Sequence, residues 1–188
     1  MYKAFRPWTV GAMDGAATKG RLDIVRRLYL TRDEGCSTLA FIGAASNNHV
    51  EVLRLLYMFY ESKSDPVEEL TVAARNGHLE AVYFRLPGMM ENELAIEAAI
   101  VNGHVAVVEA LLPRTGNKRN IFIIAAANNQ VLVLRLLLEN YGFYYSRDVL
   151  LIAAGLGHVR IMELVVEACS QREIHKALYI AAKHGIPV

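Results

Sequence analysis

A helix-ending residue recurs along the chain at nearly constant spacing, and this repetition constrains the fold more than any other feature. In each copy, a short run of small residues, chiefly alanine, lies a few residues ahead of a glycine or an asparagine. Glycine and asparagine are the residues that most readily adopt the left-handed backbone found at helix C-termini. The pattern therefore predicts seven helix stops, 26 to 29 residues apart, at Gly20, Asn48, Gly77, Gly103, Asn129, Gly157 and Gly185.

A second, amphipathic helix is predicted after each stop. Residues 50–56, 105–112 and 159–165 carry apolar side chains at helical spacing, which indicates one broad apolar face. Asp23 and Glu51 fall in the first turn of these helices, where the helix dipole favours negative charge. The repeating unit is thus a helix, a tight turn, a second helix and a connector. One such pair cannot bury its apolar face alone, whereas stacked pairs share a continuous core.

Composition excludes several classes of protein. Hydrophobic residues make up 54% of the chain and charged residues 21%, so a folded chain is expected rather than a disordered one. The net charge of +1 gives no global reason to bind nucleic acid or an anionic membrane. The apolar stretches are too short to insert into a membrane, and residues 2–7 lack the apolar centre of a secretory signal. Two cysteines without metal or disulfide spacing fit a reducing, cytoplasmic setting.

Three segments carry a resemblance to a known family. AASNNHVEVLRLL from Ala44, AARNGHLEAV from Ala73 and AIVNGHVAVVEALL from Ala99 resemble the core of the ankyrin repeat. The resemblance extends from about Gly11 to Gly185. The chain departs from the family in three ways. Its repeats are shorter than the usual ~33 residues, the Thr-Pro-Leu-His opening is absent, and the connectors are too short for the projecting β-hairpin.

The resemblance implies an all-α fold, a solenoid of helical pairs in which the first helices line the concave side. We expect a single domain over residues 1–188, with six repeats from about residue 10 to 173 and a C-terminal half repeat. Residues 1–9, which include Phe5 and Trp8, are predicted to cap the first repeat. Residues 174–188 are predicted to close the other end, because terminal repeats need a cap.

The function that the resemblance implies is a non-enzymatic scaffold, a monomer without cofactor, that binds another protein along its concave face. In ankyrin repeats, the two variable residues before the glycine commonly face the binding groove. The alternative interpretation is that these residues are solvated helix ends, since asparagine is common there for stability alone. The candidate partner-binding residues in this position are Lys19, Asn47, Arg75, Asn76, Asn102, Asn128 and Leu156.

The connector after residue 140 adds two further candidates, Tyr141 and Tyr144. Together with Phe143 and Tyr145 they place four aromatic residues within five positions. Such a cluster could form an exposed anchor, since tyrosine and phenylalanine concentrate in interface cores. Alternatively, the rings could pack beneath the connector and fill the space of the missing hairpin.

Neither a metal site nor a catalytic site is predicted. His49, His78, His104 and His158 occupy the same slot in different repeats, and packed helices lie about 8–10 Å apart. Equivalent slots therefore cannot converge on a zinc ion at ~2.0–2.1 Å, and we expect these histidines to buttress the helix turns. A thiol hydrolase built on Cys169 lacks an evident oxyanion hole. The basic loop 114–119 reads as solvated, since it lacks a phosphate-binding pattern.

Two biological settings follow from the resemblance alone. Short, hairpin-poor repeats are similar to those of ankyrin-like proteins from large viruses and intracellular bacteria, which suggests an effector acting on host proteins in the host cytoplasm. The alternative is the targeting or substrate-recognition part of a larger enzyme or of a ubiquitin-ligase complex.

Overall fold

The structure, a computed structural model, describes residues 9–89 and 92–186. Within these ranges it contains thirteen α-helices, three short 3-10 helices and no strand, so the predicted all-α fold is confirmed. The helices are α1 Val10–Thr18, α2 Leu22–Thr31, α3 Thr38–Ser46, α4 Val50–Tyr60, α5 Pro66–Arg75, α6 Leu79–Arg85, α7 Glu93–Val101, α8 Val105–Leu111, α9 Lys118–Ala127, α10 Val131–Tyr141, α11 Ser146–Leu156, α12 Val159–Val165 and α13 Gln171–Lys183.

The helices alternate as predicted: an odd-numbered first helix is followed after a tight turn by an even-numbered second helix. The chain divides into two compact units, Met1–Ala95 and Ile96–Val188, with the boundary inside α7. In the first unit, α1, α3 and α5 pack side by side in one layer, and α2, α4 and α6 pack in a second layer. The second unit repeats this arrangement, with α9, α11 and α13 in one layer and α8, α10 and α12 in the other.

The core of each unit lies between its two layers. One apolar position shows why the pattern repeats. It lies five residues after the stop and is fully buried in five copies, at Val25, Leu53, Val82, Val108 and Leu134. Burial of one such side chain stabilises the fold by about 1.5–3 kcal/mol. The largest buried rings, Phe41 in α3 and Phe122 in α9, come instead from the first helices.

Both predicted end caps stay predictions. Residues 1–8 lie outside the described residues, so the predicted N-terminal cap over 1–9 stays a prediction. At the other end, α13 packs on α11 and begins at Gln171, so the boundary drawn at 173/174 falls inside this helix. Ser170 and Glu173 fix its start through a capping box, in which each side chain bonds the backbone of the other residue.

Candidate protein interface

The seven predicted helix stops share one backbone geometry. Every stop has a positive φ, from 55° at Asn129 to 75° at Gly77, which confirms the left-handed conformation at all seven positions. At each stop, the amide of the following residue donates a hydrogen bond of 2.9–3.0 Å to the carbonyl oxygen five residues earlier. That carbonyl belongs to an alanine in every copy, at Ala16, Ala44, Ala73, Ala99, Ala125, Ala153 and Ala181.

These alanines explain the run of small residues before each stop. All seven are buried, with at most 7% of their surface exposed. The small side chain lets the neighbouring first helices approach closely, while the carbonyl anchors the turn in the Schellman pattern of hydrogen bonds. The same backbone frame therefore holds the two variable residues of each copy in the same orientation relative to their helix.

The residue directly after the stop links neighbouring repeats. His78 Nε2 lies 3.0 Å from the carbonyl oxygen of Ser46, and His158 Nδ1 lies 2.9 Å from that of Ala126. Gln130 makes the same type of contact, with its Nε2 donating to the carbonyl oxygen of Val101 at 2.8 Å. Each acceptor lies in the last turn of the preceding first helix, where carbonyls have no partner inside the helix. The prediction that these histidines buttress the turns is confirmed for His78 and His158.

His49 supports its neighbour by packing. A Cβ added at Gly20 would come within 2.6 Å of the His49 ring, so glycine at this stop leaves the space that the His49 ring occupies. Within residues 9–89 and 92–186, no cluster of three or more histidine, cysteine, aspartate or glutamate side chains could hold a metal ion.

The candidate tip residues are exposed. Each unit has its own "tip row", which consists of Lys19, Asn47, Arg75 and Asn76 in the first unit and of Asn102, Asn128 and Leu156 in the second. All seven are exposed to solvent, and Leu156 shows 53% of its surface. The row differs between the two units, since the first-unit tips include two cations and no acid, while the second-unit tips carry no charge.

The asparagines of the tip row have a structural role in addition to their exposure. The Nδ2 atoms of Asn47, Asn102 and Asn128 donate to the carbonyl oxygen four residues earlier in their own helix, at 2.8–2.9 Å. Asn76 reaches across to the preceding repeat, where its Nδ2 donates to the Ser46 carbonyl and hydroxyl oxygens at 2.9 Å. One amide donor of Asn47, Asn102 and Asn128 is therefore used by the fold, while the second donor and the amide oxygen can still bond to a partner.

The aromatic connector combines the two predicted alternatives. Tyr141 is half-buried, with its hydroxyl donating to the carbonyl oxygen of Leu112 at 3.4 Å and the Lys118 ammonium 4.5 Å from its ring centroid. Burial raises the pKa of the Tyr141 hydroxyl. Tyr145 packs against Phe122, with ring centroids 5.1 Å apart. Tyr144, by contrast, is 86% exposed. Tyr141 thus fills the connector, whereas Tyr144 is presented to solvent.

The two cysteine thiols lie in environments that disfavour the thiolate. Burial raises the pKa of Cys36 to about 11, and burial with the nearby Glu173 carboxylate raises the pKa of Cys169. Because the thiolate is the nucleophilic form, these shifts act against attack by either thiol at neutral pH.

A buried polar cluster in the first unit was missed by sequence reasoning. Glu69 in α5 is fully buried, and its carboxylate accepts hydrogen bonds from the Tyr57 hydroxyl, from the Ser64 hydroxyl at 2.8 Å and from the Asp65 amide at 3.0 Å. Arg85 Nε forms an ion pair with the same carboxylate at 3.2 Å, without the alignment of a hydrogen bond. The Arg85 guanidinium also lies 4.6 Å from the Tyr57 ring centroid.

The sequence did contain a signal for this cluster. Glu69 stands eight residues before its stop, and the same slot in the other six copies holds alanine, isoleucine or valine. A carboxylate in a slot that is otherwise apolar has to find buried partners. Burial raises the pKa of Glu69, although the hydrogen bonds of Tyr57 and Ser64 and the charge of Arg85 oppose the shift.

Comparison with known proteins supports the fold. No protein-family model matches the sequence, and no curated protein matches it either. Among solved structures, the crystal structure of the human ASB11 ankyrin repeat domain is similar, with a TM-score of 0.67 and 20% sequence identity. The match covers 85% of this chain and 84% of that domain. In agreement with the resemblance seen in the sequence, the helical pairs described above have the ankyrin-repeat fold.

Proposed function

We propose that the protein is a non-enzymatic scaffold that binds a partner protein along the tip row, on the face that the resemblance predicts to be concave. One observation carries the proposal. The row is exposed while the backbone beneath it is fixed by the same hydrogen bond at every stop. A surface held in this way loses little conformational entropy when a partner binds, so a larger share of the contact energy becomes affinity.

The chemistry of the tips supports a polar partner segment at the first unit. Lys19 and Arg75 supply positive charge, and the amide oxygen of Asn47 can accept hydrogen bonds. Arginine is enriched among residues that dominate binding energy, which makes Arg75 the strongest single candidate. At the second unit, Leu156 and the 45% exposed Val101 favour a less polar contact.

The experiment compares two charge-reversal variants with equal change in net charge. Lys19→Glu/Arg75→Glu alters the tip row, and the control Arg135→Glu/Arg160→Glu alters exposed arginines of the second helices α10 and α12. Proteins captured from cell extracts by the wild type and retained by the control, but lost from the tip variant, are the expected partners. Each is then titrated as a purified protein, with circular dichroism confirming that both variants are folded.

The tip assignment is wrong if every captured partner binds the tip variant with wild-type affinity. Asn102→Ala is less informative, since it also removes the hydrogen bond to the Ala98 carbonyl and lowers stability by about 0.5–1.5 kcal/mol. The host-directed effector role depends on the resemblance alone and the cytoplasmic location on cysteine usage, and both remain predictions. Within the described residues no helix is long and apolar enough to cross a membrane.

A further inference from the structure

A second surface lies on the other layer of the first unit, between the second helices α2 and α4. There a groove of about 460 Å³ is lined mainly by apolar side chains, with two arginines and one glutamate at its rim. The volume falls in the range of ligand pockets, about 300–1,000 Å³. The tip row contributes no residue to this groove. Its lining residues are Arg26, Tyr29, Leu30, Glu51, Arg54, Leu55, Met58 and Phe59.

The apolar end of the groove is strongly exposed. Leu30 shows 78% of its surface, Met58 74% and Phe59 39%, and all three lie in the last turns of α2 and α4. Tyr29 stacks on Phe59 with ring centroids 3.8 Å apart, so these rings form a fixed floor beside the two exposed aliphatic side chains. Contiguous apolar surface of this kind in a folded protein commonly marks an interaction site.

The charged end of the groove is net positive. Arg26 stands four residues, or one helical turn, before Leu30, and Arg54 stands one turn before Met58. Arg26 forms no ion pair within residues 9–89 and 92–186. Arg54 forms an ion pair with the exposed Glu51 at 3.4 Å, an interaction that contributes little in water, and its guanidinium lies 5.3 Å from the Phe84 ring centroid. The backbone positions of Arg26 and Arg54 therefore lie about 6 Å along the helix axis from those of Leu30 and Met58, given a rise of 1.5 Å per residue.

The neighbouring groove has the opposite balance. The space between α4 and α6 is lined by Asn48, Val50, Glu51, Arg54, Glu80, Tyr83 and Phe84. Two glutamates face one arginine there, so an acidic partner is disfavoured. The two grooves share Glu51 and Arg54 but differ in net charge, so of these two the α2–α4 groove is the one that favours an acidic partner.

From this arrangement we propose that the α2–α4 groove binds an amphipathic helix of a partner protein, whose apolar side chains contact Leu30, Met58 and Phe59 and whose carboxylate, one turn away, pairs with Arg26 and Arg54. The net positive charge of the groove, and the single turn between its arginines and its exposed apolar residues, favour a helix with a carboxylate one turn from its apolar side chains. An apolar face laid into a groove between two helices is a recurrent mode of peptide recognition.

The test uses three synthetic helical peptides of about 15 residues, long enough to form helix. The first carries leucine and phenylalanine one turn apart with glutamate one turn further along. The second has lysine in place of the glutamate, and the third has alanine in place of both apolar residues. Binding is followed by NMR of the full chain labelled with ¹³C at the methionine methyl groups. Met58 reports on the groove, and Met13, which is 2% exposed, reports on the core.

The glutamate peptide is expected to shift the Met58 signal saturably and to leave Met13 unchanged. The lysine peptide is expected to bind about threefold to fivefold more weakly, as for exposed ion pairs, and Arg26→Glu should remove or reverse that preference. Leu30→Ser should weaken binding about tenfold through the lost apolar contact. Leu132→Ser, which changes a leucine that is 68% exposed on α10, is the matched control and should have no effect.

Three results would overturn the proposal. The first is an unchanged Met58 signal at about 1 mM glutamate peptide, the weak limit of specific binding. The second is equal binding of the glutamate and lysine peptides, or binding of the alanine peptide at the strength of the first. The third is a shift of Met58 with protein concentration alone that Leu30→Ser abolishes, because the groove would then be filled by a second copy of this chain.

Discussion

The two units fill the space beneath their connectors with different chemistry. In the first unit, the connector between α4 and α5 covers a buried carboxylate, Glu69, with Tyr57, Ser64 and Arg85 around it. In the second, the connector between α10 and α11 covers aromatic rings, with Tyr145 on Phe122 and Tyr141 bonded to the Leu112 carbonyl. Within the described residues no strand is present, so side chains rather than a β-hairpin fill the space at both connectors. The ionic solution depends on matched partners in three helices, whereas the aromatic one depends mainly on volume.

The largest expected effect tests the ionic solution. Glu69→Leu removes the acceptor for the Tyr57 and Ser64 hydroxyls and leaves the Arg85 charge buried without its carboxylate. We expect the free energy of unfolding to fall by about 3–5 kcal/mol. Segment-resolved hydrogen exchange should show the loss in α4–α6 and leave α10–α13 protected.

The control for this change is the double variant Glu69→Leu/Arg85→Leu. Replacing both members of a buried ion pair by apolar residues is often nearly neutral, so the double variant should recover much of the lost stability. A double variant as unstable as Glu69→Leu would show that the hydroxyl hydrogen bonds, rather than the ion pair, hold the connector.

A smaller, pH-dependent effect should distinguish the two units. Because burial raises the folded-state pKa of Glu69 above its ordinary value of 4.5, its contribution to stability is fully present below pH 4.5. That contribution is lost as the pH rises through the folded-state pKa, with a slope of at most about 1.4 kcal/mol per pH unit. Glu69→Gln cannot ionise and should not show this decline.

Urea denaturation of the wild type and of Glu69→Gln between about pH 4.5 and 7.5 measures the difference directly. The wild type should lose stability relative to Glu69→Gln as the pH rises, and hydrogen exchange should place the change in the first unit. A difference that stays constant with pH, or one that grows in favour of the wild type, would mean that Arg85 and the hydroxyls outweigh desolvation.

The smallest expected effect compares the two asparagine stops. Asn48 and Asn129 both have a left-handed backbone, at φ 59° and 55°. Only Asn48 uses its side chain for the next repeat, since its Oδ1 accepts from the Ala81 amide at 3.2 Å in the first turn of α6. Asn129→Gly should raise the free energy of unfolding by about 0.5 kcal/mol by relieving the backbone cost.

Asn48→Gly gains the same backbone relief but loses the hydrogen bond to Ala81, which contributes about 0.5–1.5 kcal/mol. We therefore expect it to be neutral or to destabilise the protein by about 0.5 kcal/mol. Urea midpoints of the two single variants give the comparison. Equal stabilisation by both substitutions would show that the Asn48 side chain contributes nothing to the start of α6.

The sequence was sufficient for the helical-pair repeat because the stop depends on one local property, the ability of glycine and asparagine to adopt positive φ. The buttressing role of His78 and His158 was also predictable, since equivalent slots in stacked repeats cannot converge. The partners of Glu69 could not be predicted from the sequence. Arg85 lies sixteen residues further on, and only the packing of α5 on α6 brings it close to Glu69. For the same reason, spacing alone could not separate Tyr141 from Tyr144.

The candidate tips were predictable as exposed positions but not as hydrogen-bonded ones. Asn47, Asn102 and Asn128 fold their amide groups back onto their own helices, which depends on side-chain torsions that the sequence does not specify. The α2–α4 groove was missed for a different reason. Spacing alone does not tell which apolar residues at the far ends of the second helices are buried and which remain exposed.

Because of the buried Glu69 carboxylate, the third helical pair, α5 and α6, is not interchangeable with the other pairs. The pair supplies the Arg85 guanidinium from its own second helix, α6, but it depends on α4 of the preceding pair for the Tyr57 hydroxyl. Duplicating this pair next to itself would place the second copy of Glu69 after α6, where Leu86 stands in the position that Tyr57 has in the preceding copy. The order of modules in the first unit is therefore encoded in the core, and engineering that treats the repeats as interchangeable should keep residues 57–85 together as one block.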